Sequence, residues 1–213
     1  MGRGFAGIAF TPHVKEEQRR HGSRHLYERG EQSSGRDRLG PDEKAFLGVR
    51  DGFYMASVTE TGWPYIQYRG GCAGFLRVVD DQTLGFADLR GNRQYISTAN
   101  LKRDDRVALF FMDYATQSRL KILGRAEIFE GSAEADALIQ KLRVPEEKTP
   151  PERAILIHVE GFDWNCPQHI TARFTEAELT KILEPIRQRL EALETENKRL
   201  SEAASAPQLS SRP

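Results

Sequence analysis

The segment Phe53-Tyr-Met-Ala-Ser-Val-Thr-Glu-Thr-Gly-Trp-Pro-Tyr-Ile-Gln-Tyr-Arg69 changes the period of the chain from helical to two. Phe53–Thr59 reads as a strand, Glu60-Thr61-Gly62 as a turn and Tyr65–Arg69 as the returning strand. On the returning strand Ile66 and Tyr68 share one face, while Tyr65, Gln67 and Arg69 share the other.

Downstream the same logic repeats. Phe75–Val79 and Thr83–Ala87 flank Asp80-Asp81 as a second hairpin, and Asn92–Leu101 reads as a helix with Asn92 as its N-cap. Arg106–Met112 and Leu120–Phe129 are two further strands; the first is apolar on both faces and is expected to be central and buried. Ser132–Leu142 is an amphipathic helix, 143–151 a charged loop and Ala154–Trp164 the last strand. The links are of hairpin length and β-α-β alternation is missing. The expected class is therefore mainly β (α+β), a closed or partly closed antiparallel barrel of six to seven strands with peripheral helices.

Upstream, Thr11-Pro12 is expected to cap and open a polar helix through about Arg29, followed by a loop over Glu31–Arg38. Gly40-Pro41-Asp42-Glu43 opens a short helix to about Val49, with its acids where the helix dipole favours them. At the other end Thr175-Glu176-Ala177-Glu178 is a capping box. Leu179, Leu183, Ile186, Leu190, Leu193, Asn197 and Leu200 then follow as a heptad seam with Asn197 at an a position. In a parallel pair Arg189 at g would face Glu194 at e of the partner, and Pro185 should kink or restart the helix. The seam suits either packing on the chain's own barrel or pairing with a partner helix. The organisation is a polar helical extension (1–40), the barrel domain (41–174), the heptad helix (175–201) and a disordered tail (202–213).

The 213 residues include 31 Lys+Arg against 31 Asp+Glu, a zero net charge that excludes a bulk electrostatic nucleic-acid binder. Two cysteines, Cys72 and Cys166, exclude a disulfide framework. The densest apolar run, Val107–Met112, is far short of the roughly 20 residues that a membrane-spanning helix needs. The N-terminal stretch is too brief and glycine-rich for a secretory signal, so a cytoplasmic location is expected, with no nucleic-acid or membrane partner.

Gly85-Phe-Ala-Asp-Leu-Arg-Gly-Asn-Arg-Gln-Tyr95 ends a strand, turns at glycine and opens a helix. Helix-start amides together with Arg90 and Arg93 suit a phosphate, although a solvated basic helix start would look the same. The ordered pieces Tyr54–Val58, Gly62–Arg69, Gly85–Tyr95, Asp105–Met112, Gly124-Arg-Ala-Glu127 and Phe162-Asp-Trp164 together resemble the pyridoxamine-5'-phosphate-oxidase-like, FMN-binding split-barrel family, from about Pro41 to Phe174.

That resemblance implies a split β-barrel that forms a homodimer with flavin at the subunit interface, FMN as cofactor with FAD as the alternative, and a flavin-dependent oxidoreductase. Hydride would pass between NAD(P)H or a small organic substrate and the flavin. Asn92, Arg93 and Gln94 match the family's phosphate-holding segment; Ala87 and Asp88 match a pair along the ribityl chain. Gln67 falls where the oxidases carry an arginine, with Arg69 on the same face. Arg119 aligns with a residue reaching the ring from the partner subunit, and Trp164 with a tryptophan flanking it. Donors such as Gln67, Arg69 and Arg119 would stabilise charge on a reduced flavin; surface ion pairing is the plainer role for both arginines, simple exposure for Gln67 and core packing for Trp164.

The departures point away from oxidation of a vitamin B6 phosphate. Gln67 and Gln94 replace cationic residues, and Trp164-Asn-Cys-Pro-Gln-His-Ile170 replaces the arginine-rich terminal segment. His169 is the candidate catalytic proton donor. Cys166-Pro-Gln-His169 offers two metal ligands where four are usual, so no metal is expected. A reactive thiol, a wall of the flavin pocket and a plain turn stay open for it. A non-catalytic flavin carrier or redox sensor, or a barrel holding haem or a deazaflavin, is the alternative to an enzyme.

Overall fold

The Phe53–Arg69 hairpin forms as its pattern requires. Strands β1 (Gly52–Val58) and β2 (Pro64–Gly70) pair antiparallel, with Phe53 opposite Arg69 and Met55 opposite Gln67. The turn closes where Thr59 Oγ1 accepts the Trp63 N–H at 3.0 Å, with Gly62 at φ +84°. This is a computed structural model describing residues 2–28, 35–164 and 168–205, and the chain divides into two compact units, Met1–Ile170 and Thr171–Pro213.

In the first unit β3 (Arg77–Val78), β4 (Thr83–Leu89), β5 (Arg106–Asp113), β6 (Ser118–Phe129) and β7 (Pro151–Trp164) complete one antiparallel sheet in the order β2-β1-β5-β6-β7-β4-β3. The sheet curls. Phe53 on the second strand and Phe86 on the sixth have ring centroids 5.6 Å apart, whereas four ladder steps on a flat sheet would span roughly 19 Å. Inside lie Phe53, Phe86, Phe111, Leu84, Leu109 and Ile157, all essentially inaccessible to water. Among the described residues β2 and β3 each pair on one side only, so the barrel is split.

Two strands differ from expectation. β3 shrinks to two residues because the chain ahead of it is still turning: the Phe75 N–H donates to the Cys72 carbonyl at 2.9 Å, and Phe75 and Leu76 are buried before the ladder begins. β5 is central, but only Val107, Leu109 and Phe111 are buried; Ala108 is exposed, and Phe110 and Met112 are half-buried.

Helix α1 (Arg3–Ala9) lies against β7. A Cβ on Gly161 would come within 2.2 Å of the Phe5 nitrogen, so the approach requires glycine there. The Asp37 carboxylate accepts N–H bonds from Gly4, Phe5 and Phe162, tying the helix start to the strand. Helix α2 (Pro12–Arg20) is capped by Thr11 but stops at Arg20, well short of Arg29, with Gly22 at φ +70° just beyond it. Of the expected loop over Glu31–Arg38, residues 31–34 lie outside the described residues. Helix α3 (Pro41–Gly48) starts where expected and buries Leu47. Helix α4 (Ile96–Arg103) sits beside β1 and β6. Helix α5 (Ala133–Leu142), capped by Ser132, covers β4 and β7 with Ile139 and Leu142 against Ala87 and Ala154.

The second unit is one helix, α6 (Glu176–Ser205), of 30 residues. The Thr175 hydroxyl accepts the Glu178 N–H at 3.2 Å and the Glu178 carboxylate accepts the Thr175 N–H at 2.7 Å, completing the capping box. Pro185 lies inside it without restarting it, and helix continues through 202–205, the start of the expected disordered tail; residues 206–213 lie outside the described residues. Among the described residues no helix is long and apolar enough to cross a membrane.

Candidate functional site

The split between β2 and β4 is filled by polar side chains. Gln67 and Arg69 share the inward face because they stand opposite buried Met55 and Phe53. Asp88 follows Leu84 and Phe86 on the inward face of β4 and is itself buried. Arg69 Nη1 donates to Asp88 Oδ1 at 2.9 Å, and Arg153 Nη1, from β7, donates to Asp88 Oδ2 at 2.9 Å. Arg153 also donates to Glu130, Glu152 and the Thr98 hydroxyl. Burial pushes the Asp88 carboxyl above its usual range, and the two arginines pull against that rise.

Beyond β4 the chain turns through Gly91–Tyr95 before α4. Arg93 (φ +62°) and Tyr95 (φ +54°) are left-handed, a conformation that costs a side-chain-bearing residue about 1–2 kcal/mol. Asn92 Oδ1 accepts the Gln94 N–H at 3.1 Å, and the Arg153 guanidinium lies 5.3 Å from the Tyr95 ring centroid, so both ends of the turn are held. Asn92 is thus not the helix cap: its side chain closes an Asx-turn two residues on, and the helix waits until Ile96. From α4, Ser97 Oγ donates to Gln67 Oε1 at 2.9 Å, and Asn100 Nδ2 donates to Ser57 Oγ at 3.0 Å, seating the helix on the inner ends of β1 and β2.

These elements line a cleft that is partly open to solvent. Gln67, Arg69, Asp88, Asn92, Arg93 and Gln94 all line it. Its charges are unevenly committed. Arg69 and Arg153 are held by carboxylates, and Arg90, on the adjoining surface, donates to Glu152 at 2.9 Å. That bond is the first cause holding the Glu152 carboxyl below its usual range. Arg93 is exposed and has no ion pair among the described residues. Arg69 Nε is buried with no acceptor, a state that costs about 1–3 kcal/mol. The cleft therefore presents the open Arg93 guanidinium to an anionic ligand, with Arg69 in its wall still lacking an acceptor for Nε.

The other candidates lie elsewhere. Ala87 faces α5. Arg119 stands opposite Met112 on the outward face of β6; its Nε is also buried without an acceptor. Trp164 packs edge-on against Phe46 and donates Nε1–H to Glu43 at 2.6 Å, which accounts for it as a core residue under α3. His169 is left-handed (φ +66°) and does not line the cleft, and Cys166 lies outside the described residues. Ser97, Thr98 and Arg153 belong to the site and were not among the expected residues. The one signal for Arg153 is a charge directly ahead of the apolar run Ala154–Ile157.

The family model described as pyridoxamine 5'-phosphate oxidase matches residues 40–163, more than half of the chain. No curated protein matches it. Among solved structures, HupZ of Group A Streptococcus is similar at 20% identity and a TM-score of 0.48, over 64% of this chain and 99% of that one. A putative pyridoxamine 5'-phosphate oxidase of Lactobacillus delbrueckii is similar at 20% identity and 0.47, over 59% and 93%. An FMN-binding protein of Syntrophomonas wolfei is similar at 14% identity and 0.43, over 72% and 95%.

Proposed function

The chain belongs to the pyridoxamine 5'-phosphate oxidase family, and from that premise we propose that it binds FMN in the cleft between β2, β4 and α4 and works as a flavin-dependent oxidoreductase. The observation that carries this is the pairing of an uncommitted Arg93 with the buried, acceptor-less Arg69 Nε in one cleft. A flavin phosphate is a near-dianion with three acceptor oxygens and suits the open Arg93, while the carbonyl acceptors of the ring suit Arg69.

In this proposal Arg93 and the amides at the start of α4 hold the phosphate, with Asn92 fixing the turn. Gln67, oriented by Ser97, and Arg69, oriented by Asp88, supply donors toward the ring. When bound, the flavin supplies two-electron chemistry, taking hydride from NAD(P)H or a small organic molecule. Asp88 and Glu152 are both engaged by arginines, so the residues of the cleft bind and orient rather than exchange protons. That commitment also suits the second reading, a flavin carrier without turnover.

The outward sheet face supports a homodimer. Tyr54, Ile66 and Tyr68 are 38%, 62% and 56% exposed on one face with Ala108 and Phe110, and a contiguous apolar face of this kind marks an association surface. Arg119 lies on that face and would reach the flavin of the second copy.

The visible spectrum of the purified protein, with chromatography of the heat-released cofactor, tests this directly. Yellow protein releasing FMN is expected; colourless protein that also takes up no added FMN overturns the proposal. Rapid mixing of the yellow protein with NADH or NADPH without oxygen then separates enzyme from carrier.

A further inference from the structure

Among the described residues the apolar seam of α6 is exposed along its length. Leu179, Leu183, Ile186, Leu190, Leu193 and Leu200 are between 43% and 63% exposed. Seam positions Leu183, Leu190 and Asn197 are a, and Leu179, Ile186, Leu193 and Leu200 are d. Pro185 then falls at c, on the outer side, where its missing N–H does not disturb the apolar stripe.

Charges on the flanks choose the partner and its direction. Arg187 is paired within the helix to Glu184 and Glu191, and Glu196 is bound by Arg199. Arg189 (g) and Glu194 (e) have no ion pair among the described residues. A second copy running parallel sets Arg189 against Glu194 of the other helix, twice by symmetry, and opposes Asn197 to its own equivalent so that the two amides satisfy each other. An antiparallel copy would instead need Arg187 and Glu196, already committed, and would set Asn197 against Ile186. Exposed ion pairs weigh little against a seam amide left without a partner. We infer that α6 is a homotypic association element, pairing with α6 of a second copy as a parallel two-stranded coiled coil in register at Asn197. The inference is independent of what the cleft binds.

The test uses the full chain carrying Cys72→Ser and Cys166→Ser, with Asn197→Cys added in one protein and Thr195→Cys, at the outer f position, in another. Under mild oxidation the Asn197→Cys chain should link into covalent dimers at least about tenfold faster than the Thr195→Cys chain, as paired a positions are held at high effective concentration. Adding Leu190→Asp and Leu193→Asp should abolish that advantage while leaving the barrel's near-ultraviolet signal unchanged. Equal linking of the two proteins overturns the inference. So does preferential linking of a Leu190→Cys chain to a Leu193→Cys chain over Asn197→Cys to itself, which would mark an antiparallel pair.

Discussion

Arg69 and Asp88 join the edge strand β2 to β4 by a 2.9 Å hydrogen-bonded ion pair, at the place where a closed barrel would carry a ladder. The same carboxylate holds Arg153, so one buried aspartate serves two guanidinium groups. Removing a partner from a buried ion pair leaves an uncompensated charge and costs about 3–5 kcal/mol. Asp88→Ala should lower the free energy of unfolding by about that amount, read from the urea midpoint with the slope unchanged. An effect under about 1 kcal/mol, as for a surface pair, would contradict the arrangement.

Arg93 separates binding from stability. Glycine at this left-handed position should relieve about 1 kcal/mol of strain, so Arg93→Gly is expected to unfold at higher urea than the parent. Losing a charge-assisted bond to phosphate should weaken FMN binding by about 1.5–3 kcal/mol, roughly 10- to 150-fold. Fluorescence titration with FMN, alongside urea unfolding, checks both signs on one variant.

Ile66 and Tyr68 project from the outward face. The double variant Ile66→Asp with Tyr68→Asp should reduce the mass of the barrel-mediated assembly in light scattering and lower FMN content with it. Retention of full FMN content by a dissociated chain would show that the second copy adds nothing to the site.

Gly161 admits the Phe5 backbone where a Cβ would overlap it. Gly161→Ala should cost about 1–3 kcal/mol, the usual toll of forcing atoms into a packed contact. Proteolysis within α1 should accelerate with it; unchanged cleavage would mean that α1 is not held by this contact.

Acid should weaken the fold through carboxylates held below their usual range, Asp104 and Asp113 among them. Asp104 is held down to about 2 by its hydrogen bonds with Arg106. Asp113, although burial pushes it up, is held below the usual range by the Thr116 N–H and Arg50. Folded values below unfolded ones mean stability that is complete above the unfolded pKa of about 4 and is lost as pH falls through the folded value. Urea unfolding across pH should therefore show the loss between about pH 4 and 2. Asp113→Asn should make that decline shallower, and an unchanged slope would argue against the Asp113 contribution.

Much of the sheet was legible because local pattern and tertiary demand agree. The hairpin through Gly62 and the strands through Leu109 and Ile122 alternate as a barrel wall must. Helix α1 was hidden because two glycines in its first five residues argue against helix by propensity, and only the approach of β7 explains Gly4. Asn92 carried the right chemistry for a cap and spent it on an Asx-turn instead. Arg69 and Asp88 were each readable as site residues. Their contact was not, because nothing local records which strands face each other across the split, and for the same reason the charge of Arg153 ahead of Ala154–Ile157 did not reveal its place beside Asp88.

A wall joined by a few side chains at one place and by ladders elsewhere does not open uniformly. The β1·β2 hairpin is the unit that can swing away first, since β2 has a ladder on one side only, whereas β5, β6 and β7 are paired on both. Amides of β2 should exchange with solvent through a sub-global opening well below the free energy of global unfolding. That opening carries Gln67 and Arg69 out of the cleft, so any occupant must suppress it by mass action. Hydrogen-exchange protection along β2 would then report occupancy of the cleft from strand amides, many of which never touch the ligand.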